Sequence, residues 1–194
     1  MKHQSSRQVF EYWNERRGDR IAPERGDIEP GPIRRALGDT FILGRDAEGA
    51  YRFRLAGTRS CALFCRELKG DDFMGLWSRG ERPIMLEQIT TAFEESAGFV
   101  AGVTGYNTEK AALELELLLL PLRQRDPGQT RLLGVLAPLV PPYWLGATAV
   151  EALTCGTIRH LGADAGYIEA PRLVPGSDSG RVRRGFVVYD GGRS

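Results

Sequence analysis

The chain has 194 residues, and 26 Lys and Arg against 25 Asp and Glu give a formal net charge of +1, which leaves no cationic surplus for a nucleic-acid backbone. Hydrophobic residues make up 42% and charged residues 26%, enough for the core of about one domain with attachments and too apolar for wholesale disorder. Three cysteines are too few for a disulfide framework, and the most apolar run, Leu113 to Leu122, is interrupted by Glu114, Glu116 and Pro121. The expectation is a cytoplasmic protein without a secretory leader, a membrane span or a nucleic-acid partner.

Ser5 to Arg17 reads as a helix, with a Ser5/Gln8 capping box, Val9, Phe10 and Trp13 on one face, and Gly18 at its end. A proline-punctuated segment, Ala22 to Pro32, leads to one or two helical turns over Ile33 to Leu37. Thr40 to Arg45 and Ala50 to Gly57 read as strands joined by a turn at Asp46 to Gly49. The second alternates, with Tyr51, Phe53 and Leu55 on one face and Arg52 and Arg54 on the other.

Two helices follow, a short one over Thr58 to Arg66 and a longer one over Arg82 to Ser96, with Pro83 in its first turn and Gly98 just past its end. Three strands come next: Phe99 to Tyr106, Ala111 to Leu122 and Thr130 to Leu139, the last two joined by the turn Arg125 to Gly128. Glu114 and Glu116 alternate with leucines and read as a solvated strand face. Glu151 to Leu161 reads as a further extended segment, Pro171 to Arg184 as flexible, and Phe186 to Tyr189 as a short strand. Short connections force antiparallel pairing, so the order β-β-α-α-β-β-β predicts an α+β fold: a five-stranded antiparallel sheet with helices on one face.

This order, together with Tyr51 to Thr58, Leu63 to Gly70, Pro121-Leu-Arg123 and Leu133-Gly-Val135, resembles the PAS sensory fold. Pro23 to Pro30, Ile33-Arg-Arg35 and Arg54-Leu-Ala-Gly-Thr58 are similar to a bacterial single-domain PAS-like family of uncharacterised function. That family places a helix ahead of its single domain, and usually reads Phe-Gly-Arg-Glu-Leu where this sequence has Cys65 for the glycine. The resemblance implies a lead-in over residues 1–38, a PAS-like domain over 39–140 and a partly flexible extension over 141–194.

Cys65 to Gly70 also resembles the flavin-bonding segment of light-oxygen-voltage domains. The places where those domains carry polar partners for the flavin ring hold Phe64, Leu115 and Leu136. No cofactor is therefore predicted, Cys65 is expected to be an ordinary buried residue, and a flavin or metabolite sensor stands as the alternative. A metal site on Cys61 and Cys65 would need Cys155, His3 or His160, and no paired ligand spacing supports it, so none is predicted. No Gly-x-Ser-x-Gly or phosphate loop occurs, and no enzyme is predicted.

Two features remain. Phe53, Leu55, Leu63, Phe64, Cys65, Trp77, Phe93, Val103, Leu115, Leu117 and Val135 are expected to line an interior, either filled by side chains or open to a small hydrophobic ligand. Val9, Phe10 and Trp13 form a helix face that packs on its own sheet or pairs with a second copy. The function expected is a non-catalytic regulatory module acting as a homodimer on an unidentified signalling protein.

Overall fold

A computed structural model describes residues 1–124 and 131–161, and the backbone alone of 167–168, 181–183 and 186–188. The elements are α1 (Gln4–Arg17), β1 (Thr40–Arg45), β2 (Tyr51–Ala56), α2 (Thr58–Leu63), α3 (Arg82–Glu94), β3 (Gly98–Asn107), β4 (Ala112–Leu122), β5 (Arg131–Pro138), β6 (Val150–Leu161), β7 (Tyr167–Ile168), β8 (Arg181–Arg183) and β9 (Phe186–Val188). Short 3-10 turns at Arg25–Asp27, Leu37–Asp39 and Phe73–Leu76 punctuate the connections. The turn read at Arg125 to Gly128 and most of the segment Pro171 to Arg184 lie outside the described residues.

The sheet is antiparallel throughout, in the order β2-β1-β5-β4-β3-β6-β7. Its first five strands are those the sequence predicts. The strand count exceeds five because β6 adds twelve residues to the free side of β3, and the two-residue β7 follows it. A separate two-stranded pairing joins β8 to β9.

Side chains alternate across the strands into two cores. Toward α2, α3 and the Phe73–Leu76 turn lie Phe41, Leu43, Phe53, Val103, Leu115, Leu117 and Leu136. Toward α1 and the proline-punctuated lead-in lie Ile42, Val100, Leu118, Leu120, Leu133 and Val135. Helices therefore cover both faces, with α1 opposite α2 and α3. Strands sandwiched in this way are apolar on both sides, which explains the uninterrupted run Leu117 to Leu120 in the middle of β4.

Local chemistry sets the helix ends. His3, rather than Ser5, caps α1: its Nδ1 accepts the Ser5 amide at 3.1 Å, and Gly18 closes the helix at φ 54°. Arg16 and Arg17 in the last turn complement the helix dipole. Gly57 ahead of α2 permits a close approach, because a Cβ there would sit 2.1 Å from the Leu37 carbonyl oxygen. That contact gives the glycine of the Arg-Leu-Ala-Gly-Thr block a physical role.

Candidate functional site

The interior under α2 and α3 is built as the sequence indicates for most of its lining. Phe53, Leu63, Phe64, Trp77, Phe93, Val103, Leu115 and Leu117 are all buried in one cluster. Three expected members lie elsewhere. Leu55 is 49% exposed, because a bulge at Arg54 shifts the register from Leu43 opposite Phe53 to Ile42 opposite Leu55, and Ala56 turns inward instead. Val135 pairs with Leu118 and faces α1, while its neighbour Leu136 points into the interior.

Cys65 is exposed rather than buried, and its backbone adopts φ 50°. This is the left-handed region that favours glycine, the residue the similar family usually carries there. The thiol donates to the Ala62 carbonyl at 3.7 Å and does not belong to the interior cluster. Phe64, Leu115 and Leu136 are buried within that interior and offer a flavin ring no side-chain hydrogen bonds. Burial pushes the Cys61 thiol up, the opposite of what activates a nucleophile. Among the described residues no group of three His, Cys, Asp or Glu is placed to hold a metal ion.

A chain of aromatic rings occupies part of the interior. Phe41 lies 5.3 Å from Phe53 and 5.9 Å from Phe73, and Phe73 lies 5.8 Å from Trp77, centroid to centroid. Gly134 on β5 makes room for this stack, since a Cβ there would come within 2.1 Å of the Phe41 ring. The walls also carry three buried polar atoms without a hydrogen-bond partner among the described residues: Ser60 Oγ on α2, Trp77 Nε1 and Gln88 Oε1. Gln88 sits on the inward face of α3 beside Met85, Ile89 and Ala92. Their backbone positions were legible in the sequence, but only the packed structure reveals that the two side chains other than Trp77 are buried at all.

On the opposite face, α1 is fastened at several points. Glu116 on β4 accepts the amides of Lys2 at 2.5 Å and His3 at 3.0 Å. It is 4% exposed, so the solvated strand face expected from its alternation is incorrect at this residue. Ser5 Oγ donates to Asp39, and Trp13 Nε1 donates to the Pro121 carbonyl at 2.8 Å. Tyr12 Oη donates to the Asp27 carbonyl and accepts the Glu29 amide. Val9 and Trp13, the face offered for pairing with a second copy, are buried on the chain's own sheet, while Phe10 is half-buried and stacks on Trp13.

A five-stranded core in the order 2-1-5-4-3, with α2 and α3 over one face and α1 over the other, encloses an apolar interior. Residues 1–137 match the family model described as PAS domain, and the chain belongs to that family. PAS domains are in general sensory rather than catalytic modules.

No curated protein matches the chain. Among solved structures it is similar to a light-oxygen-voltage domain studied with a flavin analogue, at 16% identity over 60% of this chain and 87% of that one, TM-score 0.45. It is similar to an RNA-binding light-oxygen-voltage receptor at 18% identity over 64% of this chain and 36% of that one, TM-score 0.43. It is also similar to the PAS domain of a protein from Colwellia psychrerythraea at 13% identity, over 57% of this chain and 97% of that one, TM-score 0.40. Among the described residues no helix is long and apolar enough to cross a membrane.

Proposed function

We propose that this PAS domain is a non-catalytic regulatory module whose interior takes up a small, mainly apolar ligand bearing one hydrogen-bond acceptor and one donor. The observation that carries the reading is the pair of unpartnered buried atoms on its walls, Trp77 Nε1 and Gln88 Oε1. An indole N–H only donates and an amide oxygen only accepts, so the two specify complementary groups on an occupant. Each buried polar group left without a partner costs about 1–3 kcal/mol, and an occupant that satisfies both recovers this cost on binding. Apolar walls supply the bulk of the affinity and the two polar groups fix orientation. A signal then requires only that the occupant bind two states of the domain unequally.

Native mass spectrometry of the purified protein, followed by solvent extraction, tests this. The expected result is a small compound bound to the wild type and lost from Trp77→Phe, which removes the donor while keeping an aromatic ring. For a ligand supplied at a hundred times its Kd, the wild type should melt roughly 5–10 °C higher. A protein that carries only water, with no thermal shift across a metabolite library, contradicts the proposal.

The output we assign to protein contacts, with a homodimer as the second reading. Its support is Phe10, which stacks on the buried Trp13 and packs against the core under α1 yet stays only half-buried. Light scattering on wild type and Phe10→Ala decides it: a dimer converted to monomer supports the reading, and a monomeric wild type overturns it.

A further inference from the structure

Residues 139–149 run from β5 to β6 as a strap against the interior, and its two ends are fastened to neighbouring strands. The Leu139 amide donates to the Glu114 carbonyl of β4 at 2.9 Å, and Val150 pairs with Asn107 of β3. Between these anchors, among the described residues, the hydrogen bonds of residues 140–148 stay within the strap. The Leu145 amide donates to the Pro142 carbonyl at 3.1 Å, and those of Ala147 and Thr148 donate to the Trp144 carbonyl at 2.9 and 3.0 Å. Packing ties the strap to the body. Trp144 and Leu145 lie half-buried against the interior cluster, and a Cβ at Gly146 would sit 3.9 Å from that of Ala62 on α2.

The rest of the rim is anchored differently. Ala56, Cys61, Met74 and Cys155 also touch the interior while half-buried, but they stand on β2, α2, the Phe73–Leu76 turn and β6. Moving any of these disturbs backbone hydrogen bonds of a strand, helix or turn. Lifting the strap breaks none between its anchors, because its own bonds travel with it. Segments held in this way open locally at the low end of a protein's stability range. Pro141 and Pro142 stiffen its entry, and Gly146, at φ 82°, makes its tight corner.

We propose that this strap is the door to the interior, with Trp144 and Leu145 as its seal. It lifts as a unit between Leu139 and Val150, admits a small apolar compound, and closes when the two side chains repack. The proposal deepens the reading of the interior as a ligand site and rests on it. Because residues 139–149 fall beyond the 1–137 span of the family match, the door is this chain's own addition to the domain.

The test locks the strap. Ala62→Cys and Gly146→Cys are introduced together into full-length protein whose Cys61, Cys65 and Cys155 are replaced by Ser. The 3.9 Å separation lies within the roughly 3.5–4.5 Å that a disulfide requires between Cβ atoms. Comparing oxidised and reduced forms of one chain cancels the strain of a side chain at Gly146. The probe is deuterium oxide, applied after bound compounds are washed out, and the readout is exchange of the Trp77 indole N–H. Oxidation should slow that exchange by about tenfold or more and leave the Trp13 indole, on the opposite face, unchanged. In the otherwise native chain, Trp144→Ala should speed it by a similar factor. Equal Trp77 exchange in both redox forms, equal slowing at Trp13, or no change in folded Trp144→Ala would each overturn the door. Slowed exchange in a protein that carries no compound would uphold the door and overturn the ligand reading instead.

Discussion

Arg59 on α2 and Asp39 at the threshold of β1 form a two-pronged ion pair, Nε to Oδ1 at 2.7 Å and a terminal nitrogen to Oδ2 at 2.8 Å. The same Oδ2 accepts the Ser5 hydroxyl of α1 at 2.6 Å, and Arg59 donates to the Arg35 carbonyl of the lead-in. One buried carboxylate thus ties the helix over the outer face to a helix that walls the interior. Its side chain is 4% exposed, whereas that of Arg59 is 52% exposed, so the arginine retains water on one side.

Replacing Asp39 by Ala should therefore cost about 2 kcal/mol, the scale of lost charge-assisted hydrogen bonds rather than of a fully buried ion pair. For a chain of this length the melting temperature falls by roughly 4–8 °C. Hydrogen exchange should rise at the first turn of α1 and in α2 together. A rise confined to one of them would show that the carboxylate does not couple the two.

Cys65 holds a left-handed backbone at φ 50° with an exposed thiol. A non-glycine residue pays roughly 1 kcal/mol for that conformation, and glycine does not. Cys65→Gly is expected to leave stability unchanged or raise it by up to about 1 kcal/mol in urea unfolding. A loss of more than about 1 kcal/mol would mean that the thiol makes a stabilising contact.

The Phe41 ring crosses β5 above Gly134, where a Cβ would come within 2.1 Å of it. Gly134→Ala should cost about 1–3 kcal/mol through overpacking. Phe41→Leu introduced into that variant should recover part of the loss, giving a favourable coupling in a double-mutant cycle. Additive costs would contradict the packing relationship.

Asp46 closes the β1–β2 turn. Its carboxylate accepts Arg52 Nε at 2.6 Å and the amides of Glu48 and Ala50. The Arg52 guanidinium, and then the turn amides, hold its carboxyl below the usual carboxylate range. A depressed folded-state value contributes stability that is present above the unfolded pKa, near 3.9, and is lost as pH falls through the folded value. Asp46→Asn should accordingly melt below the wild type at neutral pH, and the two curves should converge on acidification. A gap that stays constant into strong acid would contradict this.

Most of the architecture was legible because alternation and helical spacing survive in the text of the sequence. Tyr51 and Phe53, Leu115 and Leu117, and Val9 and Trp13 all bury the faces their spacing implies. Leu55 escaped because the bulge at Arg54 is a matter of pairing between strands, which no single-strand pattern records. Glu116 escaped because its partners are backbone amides more than a hundred residues away. The approach of Gly146 to Ala62 joins two segments whose relation only the fold defines. Gln88 reads as an ordinary helix residue, and its place on the inward side of α3 follows from the packing of Met85 and Ile89 about it.

The indole N–H resonance of Trp77 tests the occupied interior most directly. Trp13 provides the internal reference, because its own N–H is bonded to Pro121 at 2.8 Å. In protein unfolded, washed and refolded to strip bound compounds, the Trp77 signal should lie at the upfield position of an unbonded indole. In protein as purified it should move downfield, toward that of Trp13, and revert on stripping. A Trp77 signal identical in both preparations, with no compound in the wash, would contradict the account.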